Sequence, residues 1–177
     1  MSLLNKKNMR ASQDDDFDLD EEEDSLKDRY LSFRVADEEY GIEIQYVTEI
    51  VGIQKISAVP EMPDFIKGVI NLRGQVIPVM DVRTRFHMPY RDYNERTCVI
   101  VVSLNEHFVG LVVDAVKEVT SMPESSISEA PRVARTESAR YIKGIGKIGD
   151  DVKILLDVQK LLSELDCGQA LPQPLTA

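Results

Sequence analysis

The sequence predicts a mainly β protein of two similar halves, two small barrels set side by side. Three observations carry this. Phe65–Val82 and Tyr141–Val158 align at a constant offset without a gap, matching aromatic to aromatic, Ile-Lys-Gly to Ile-Lys-Gly and the closing Asp-Val to Asp-Val. A looser echo precedes each copy, Tyr40–Ile50 and Phe108–Val119, in the same order. The intervening segments are short, rich in β-branched residues and punctuated by turn residues. The period is too long and the copies too few for a solenoid or a propeller.

The elements follow in order. Leu31, Phe33 and Val35 alternate with polar residues, 36–39 reads as a turn, and Tyr40, Ile42 and Ile44 alternate again, giving a half-buried hairpin. Val47, Ile50 and Val51 fall at i, i+3, i+4, which predicts a short helix and makes Val47 and Ile50 core residues before contact residues. Pro60 and Pro63 mark a loop. Val69–Ile70 and Val76–Ile77 flank a tight connection in which Gly74 can supply a positive φ, so Arg73 is a turn-tip side chain. Asp81 is placed to cap a short helix that ends before Pro89.

The second half repeats the plan. Residues 98–102 form an apolar run, Asn105–Glu106 a turn, and 108–113 the return strand, with Cys98 a small buried hydrophobe. Val116 and Val119 predict a matching short helix, and 121–140 a long polar connection. Residues 141–156 give the repeated hairpin. Val158, Leu161, Leu162 and Leu165 then define an amphipathic helix over 157–166, capped by Asp157. Residues 167–177 read as a flexible tail.

Charge is unevenly placed. The chain of 177 residues carries −10, and residues 1–28, with ten acids and four bases, supply −6 of it. Such a segment self-repels and buries too little surface to offset its ordering entropy, so 1–28 reads as a disordered acidic extension. The acidic balance argues against a barrel that binds nucleic acid, which needs a basic face. No run is long enough to span a membrane and no secretory leader is evident, so the chain reads as cytoplasmic.

Catalytic signatures are wanting. Gly144, Gly146 and Gly149 spell the glycine pattern of a dinucleotide site, but a strand follows them where a helix is required, and Asp150–Asp151 would repel a phosphate. His87 and His107 lack a nucleophile or carboxylate at motif spacing, and Cys98 and Cys167 make no metal site. These readings predict a binding protein with no catalytic residue, no metal and no cofactor. Arg73 is then either a solvated turn arginine or an interface anchor, a role in which arginine is enriched. Glu49 has the same two readings.

Glu39–Tyr40–Gly41–Ile42, Val47–Thr48–Glu49–Ile50 and the run Phe65–Val82 with Asn71–Leu72–Arg73–Gly74 resemble the bacterial chemotaxis coupling proteins of the CheW family, over about residues 29–165. The resemblance implies two five-stranded SH3-like barrels: the first over about 38–95, the second over about 96–157 together with the N-terminal strand. It implies a non-catalytic adaptor, a monomer by itself, that joins the cytoplasmic tips of methyl-accepting chemoreceptors to the histidine kinase CheA in membrane-associated arrays. Val47, Glu49, Gly68 and Arg73 resemble the receptor-binding positions. The loop 128–133, with Val133, resembles a kinase-contacting region. Relatives that carry this module within longer chains hold a kinase or a receiver domain, for which there is no room here. A scaffold of a non-flagellar sensory system is the alternative within the family.

Overall fold

The structure, a computed structural model, describes residues 26–130 and 137–166. The expected extension, the tail and Val133 lie largely or wholly outside the described residues. The strands are β1 (Arg29–Val35), β2 (Glu38–Glu43), β3 (Val47–Gly52), β4 (Ile66–Leu72), β5 (Gln75–Asp81), β6 (Cys98–Leu104), β7 (His107–Val113), β8 (Ala115–Ser121), β9 (Ile127–Ser128), β10 (Ile142–Ile148) and β11 (Asp151–Leu156). Among the described residues, the α-helices α1 (Val82–Arg85) and α2 (Val158–Asp166) each follow a repeated hairpin.

Two sheets form. The first runs β3-β6-β7-β5-β4 and the second β8-β1-β2-β11-β10-β9. The orders superpose strand for strand: β3 on β8, β6–β7 on β1–β2, β5 on β11 and β4 on β10. Each contains one parallel contact, β5 with β7 and β11 with β2. The duplication is therefore a property of the fold.

The strand exchange corrects the predicted boundary. β6 and β7, expected in the second barrel, lie in the first sheet; β2, expected in the first, lies in the second beside β1. The hairpins β1–β2 and β6–β7 are alike in pattern, so either suits the place beside a repeated hairpin. β6–β7 follows β5 and fills it there, whereas α2 follows β11 and the vacancy is taken by β1–β2.

Two predicted helices are also corrected. Residues 47–52 are β3, a sheet-edge strand with a bulge between Val47 and Glu49 opposite β6, and 115–121 are β8, bulged against β1. Only a 3-10 turn, Ile44–Tyr46, precedes β3. Val, Thr and Ile are stiff at χ1 and favour the pleated surface, and the ladder to β6 supplies the backbone partners that a short helix would leave open. The helix caps agree with expectation: the Thr84 N–H donates to Asp81 at 3.3 Å and the Lys160 N–H to Asp157 at 3.0 Å. Cys98 is half-buried, not buried.

One apolar cluster joins both sheets and both helices, with Phe33, Ile42, Ile66, Met80, Ile100, Leu111, Tyr141, Leu156 and Leu161 among its members. Each sheet has its own smaller interior as well. That of the first includes Ile70, Ile77, Val79 and Val101; that of the second is Tyr30, Met122 and Leu155. Equivalent backbone bonds set the two hairpins: Asp81 N–H to Phe65 O and Asp157 N–H to Tyr141 O, both at 2.8 Å. The equivalent rings, Phe65 and Tyr141, each stand 4.5 Å from the buried Arg85 guanidinium, which thus lies at the junction of the halves.

Candidate functional site

The β4–β5 hairpin closes through Arg73 and Gly74, between the paired residues Leu72 and Gln75. Both turn residues have positive φ, 52° and 85°, as a two-residue turn matched to strand twist requires. Asn71 Oδ1 accepts from the Gly74 N–H at 2.9 Å and locks the turn. Arg73 is thereby held out from the sheet.

Its guanidinium donates to the Glu49 carboxylate of β3. The Arg73 side chain is 76% exposed and that of Glu49 29%. The side-chain hydrogen bond to Glu49, then its Coulomb attraction, hold Arg73 above its ordinary pKa. The pair bridges an edge strand and a hairpin tip, and its outer surface remains open to a partner.

Period-two alternation along β3 turns Val47, Glu49 and Val51 partly inward and Thr48 and Ile50 outward. Val47 packs against the shared core. Ile50, taken as core in a helical reading, is 43% exposed, and Val76 on β5 is 47% exposed. Reading 47–52 as a strand supplies the signal that would have found Ile50; Val76 follows from its place two residues after the turn.

Gly68 is buried and contributes shape. It sits at a bulge in β4 with φ 146°, and an added Cβ would stand 2.1 Å from the Ser57 carbonyl oxygen. That close approach lets Ser57 and Val69 exchange two backbone hydrogen bonds of 2.9 Å, which fix the 53–65 loop beside β4. The structure therefore brings Glu49 and Arg73 together, with Val47 on the same strand, and leaves Gly68 beneath the surface.

Among the described residues no group of His, Cys, Asp and Glu could hold a metal ion, and no helix is long and apolar enough to cross a membrane. The glycines 144, 146 and 149 lie on β10 and its turn, ahead of a strand. His107 opens β7 and is exposed; His87 follows α1.

Comparison with known proteins adds three findings. The model of the CheW-like domain matches residues 29–166. The chain is similar to "Chemotaxis protein CheW" of Klebsiella aerogenes, 41% identical over 140 residues, covering 79% of this chain and 84% of that protein, and to the protein of the same name from Bacillus subtilis, 31% identical over 145 residues, covering 82% and 93%. The solved structure of scaffolding protein TtCheW from Thermoanaerobacter tengcongensis superposes with a TM-score of 0.68 at 38% identity, covering 73% of this chain and 88% of that one.

Proposed function

This chain belongs to the CheW-like family, a non-catalytic chemotaxis scaffold, and from that premise we propose that it couples chemoreceptor tips to the histidine kinase CheA. The observation that carries the reading is the Glu49–Arg73 pair: it spans two elements at the surface and contributes little to the core. Arginine is enriched at interfaces and among the residues that anchor them.

In this proposal Glu49 and Arg73 contact the receptor, Val47 supports β3 from the core side, and Gly68 shapes the β4 bulge from below. The kinase contact falls to the second sheet, at the loop 128–133 with Val133. Two separate faces suit a bridge, because each contact raises the effective concentration for the other and weak interfaces become a stable array. The protein acts in the cytoplasm and is recruited to membrane arrays through these contacts.

The test is a titration of Arg73→Glu and Glu49→Lys against a receptor cytoplasmic fragment and, separately, against the kinase. Charge reversal removes charge-assisted hydrogen bonds, so Arg73→Glu is expected to lose receptor affinity by roughly thirtyfold, and Glu49→Lys by less, with kinase affinity kept. Unchanged receptor affinity in well-folded Arg73→Glu would return Arg73 to a solvated turn arginine. Direct competition between receptor fragment and kinase for this protein would rule out the bridge.

A further inference from the structure

We propose that the acidic segment 14–24 of this chain docks on an arginine recess at the junction of the two sheets. The recess, about 390 Å³, is lined by Arg34, Arg91, Asn94, Glu95, Arg96 and Asp114. Asp114 is already matched. It accepts from Arg83 Nε at 2.9 Å and Nη2 at 2.5 Å, and from the Ala36 N–H at 2.8 Å. Three arginines then face one remaining acid, Glu95, an excess of two positive charges. Among the described residues, Arg73, Arg83, Lys143 and Lys153 each pair with a carboxylate, while no ion pair engages Arg34, Arg91 or Arg96.

The arginines are held in place. Arg34 lies on β1, and the loop bearing the other two is pinned by the Tyr93 hydroxyl, which donates to Asp81 at 2.6 Å, and by Asn94 and Thr97, which hydrogen-bond each other. Burial, then that hydrogen bond, push the Tyr93 pKa upward, so the hydroxyl keeps its proton and the loop its anchor at neutral pH.

Charge and reach select the occupant. Nine acids lie between residues 14 and 24. β1 begins at Arg29, and Arg34 is five residues further along it, about 17 Å away. The chain is already held at Leu26–Asp28, where the Asp28 carbonyl accepts from the Met122 N–H at 2.7 Å. Asp14–Asp18 lie eight to twelve residues ahead of Leu26, and at up to about 3.5 Å per residue that part of the acidic run has the length to fold back to the recess. The larger recess beside the chain entry, about 1030 Å³, is the wrong sign: Asp28, Glu43, Glu124 and Glu129 outnumber Lys27, Arg29 and Lys143 there. An electrostatic contact at an exposed site is weak and salt-sensitive.

The experiment uses the full chain with a nitroxide at residue 19 (Leu19→Cys, with Cys98→Ser and Cys167→Ser) and reads paramagnetic broadening of backbone amides. At about 0.01 M salt, where screening extends to about 30 Å, the amides of Arg34 and residues 91–96 should broaden more than those of the β10–β11 turn. At about 1 M salt, with screening near 3 Å, the selectivity should vanish. It should vanish equally in the triple variant Arg34→Gln, Arg91→Gln, Arg96→Gln. It should also vanish in a head variant that leaves every described residue intact (Asp20→Asn, Glu21→Gln, Glu22→Gln, Glu23→Gln, Asp24→Asn). Uniform broadening, broadening centred on Tyr30 and Lys143, or selectivity that survives the triple variant would overturn the proposal. So would a synthetic peptide of residues 12–25 binding the unmodified chain as tightly as the head variant, because the recess would then be open to an acidic segment of another molecule.

Discussion

The two repeated hairpins share a backbone and divide its uses. In the first, β4–β5, the interior position Ile77 is apolar and the charged residue sits at the tip, where Arg73 meets Glu49 in the open. In the second, β10–β11, Gly149 stands where Arg73 stands, and the residue equivalent to Ile77 is Lys153, 3% exposed. Lys153 Nζ donates to Ser32 Oγ at 2.9 Å and Thr120 Oγ1 at 3.3 Å, and lies 3.5 Å from Glu118, the counterpart of Glu49. One copy thus presents its ion pair to solvent, and the other turns its cation inward to tie three strands. A charge satisfied inside a fold has no bonds to offer a partner, so receptor recognition is expected to fall to the first copy.

The comparison is sharpest at the glycines of the two bulges. Ala in place of Gly68 would need a positive φ and would collide with backbone at Ser57, so Gly68→Ala is expected to cost about 2–4 kcal/mol. Its counterpart Gly144→Ala meets the Ser128 carbonyl and an Ile127 methyl at 2.8 Å without a positive φ, and about 1–2 kcal/mol is expected. Urea denaturation of both variants measures this; equal losses would mean that the two bulges are energetically alike.

Next comes Lys153. Lys153→Ala abandons two hydroxyls and a filled interior position, for about 2–3 kcal/mol. Lys153→Met keeps the volume and discards the charge, as the apolar first copy does, and is expected within about 1 kcal/mol of wild type. A methionine variant as unstable as the alanine would show that the cation itself holds the strands.

A smaller effect is expected at Asp114, where the sheets meet. Burial alone would raise this carboxyl, but the hydrogen bonds from Arg83 and the Ala36 N–H, with the charges of Arg83 and Arg91, outweigh it and hold the pKa below its ordinary value. A depressed carboxylate stabilises the fold at pH above the unfolded-state value, near 3.9, and loses that contribution as pH falls through the lowered folded-state value. Asp114→Asn is therefore expected to cost about 1 kcal/mol at neutral pH, the low end for a charge-assisted pair because the side chain is still 18% exposed. The difference from wild type should close as the acid transition is approached. A gap that is constant with pH would remove the titration from the explanation.

The smallest change in stability belongs to the exposed tip. Arg73→Gly writes the second copy's residue into the first and relieves a positive φ on a side-chain-bearing residue. Its melting temperature is expected to equal or slightly exceed wild type while receptor binding falls. A clear drop in melting temperature would mean that the Glu49–Arg73 pair holds the sheet together.

Much of this was legible locally. Asn71 and Gly74 announce their turn, Asp81 and Asp157 their helix caps, and the aligned runs 65–82 and 141–158 the duplication, because turn chemistry, capping and alternation act over a few residues. The same locality misread 47–51 and 115–119, where spacing fits a helical turn and the edge ladders to β6 and β1 decided for strands. It also makes Ile50 a core residue and gives no sign that Lys153 is buried, since burial is set by what the folded chain places on top. The sequence by itself determined two copies of one hairpin plan and the turn that exposes Arg73. Tertiary structure alone decided which hairpin completes which sheet, because the parallel pairings β2 with β11 and β5 with β7 join segments whose patterns are interchangeable. Only the closing of the shared core around Phe33, Met80, Tyr141 and Leu161 distinguishes them.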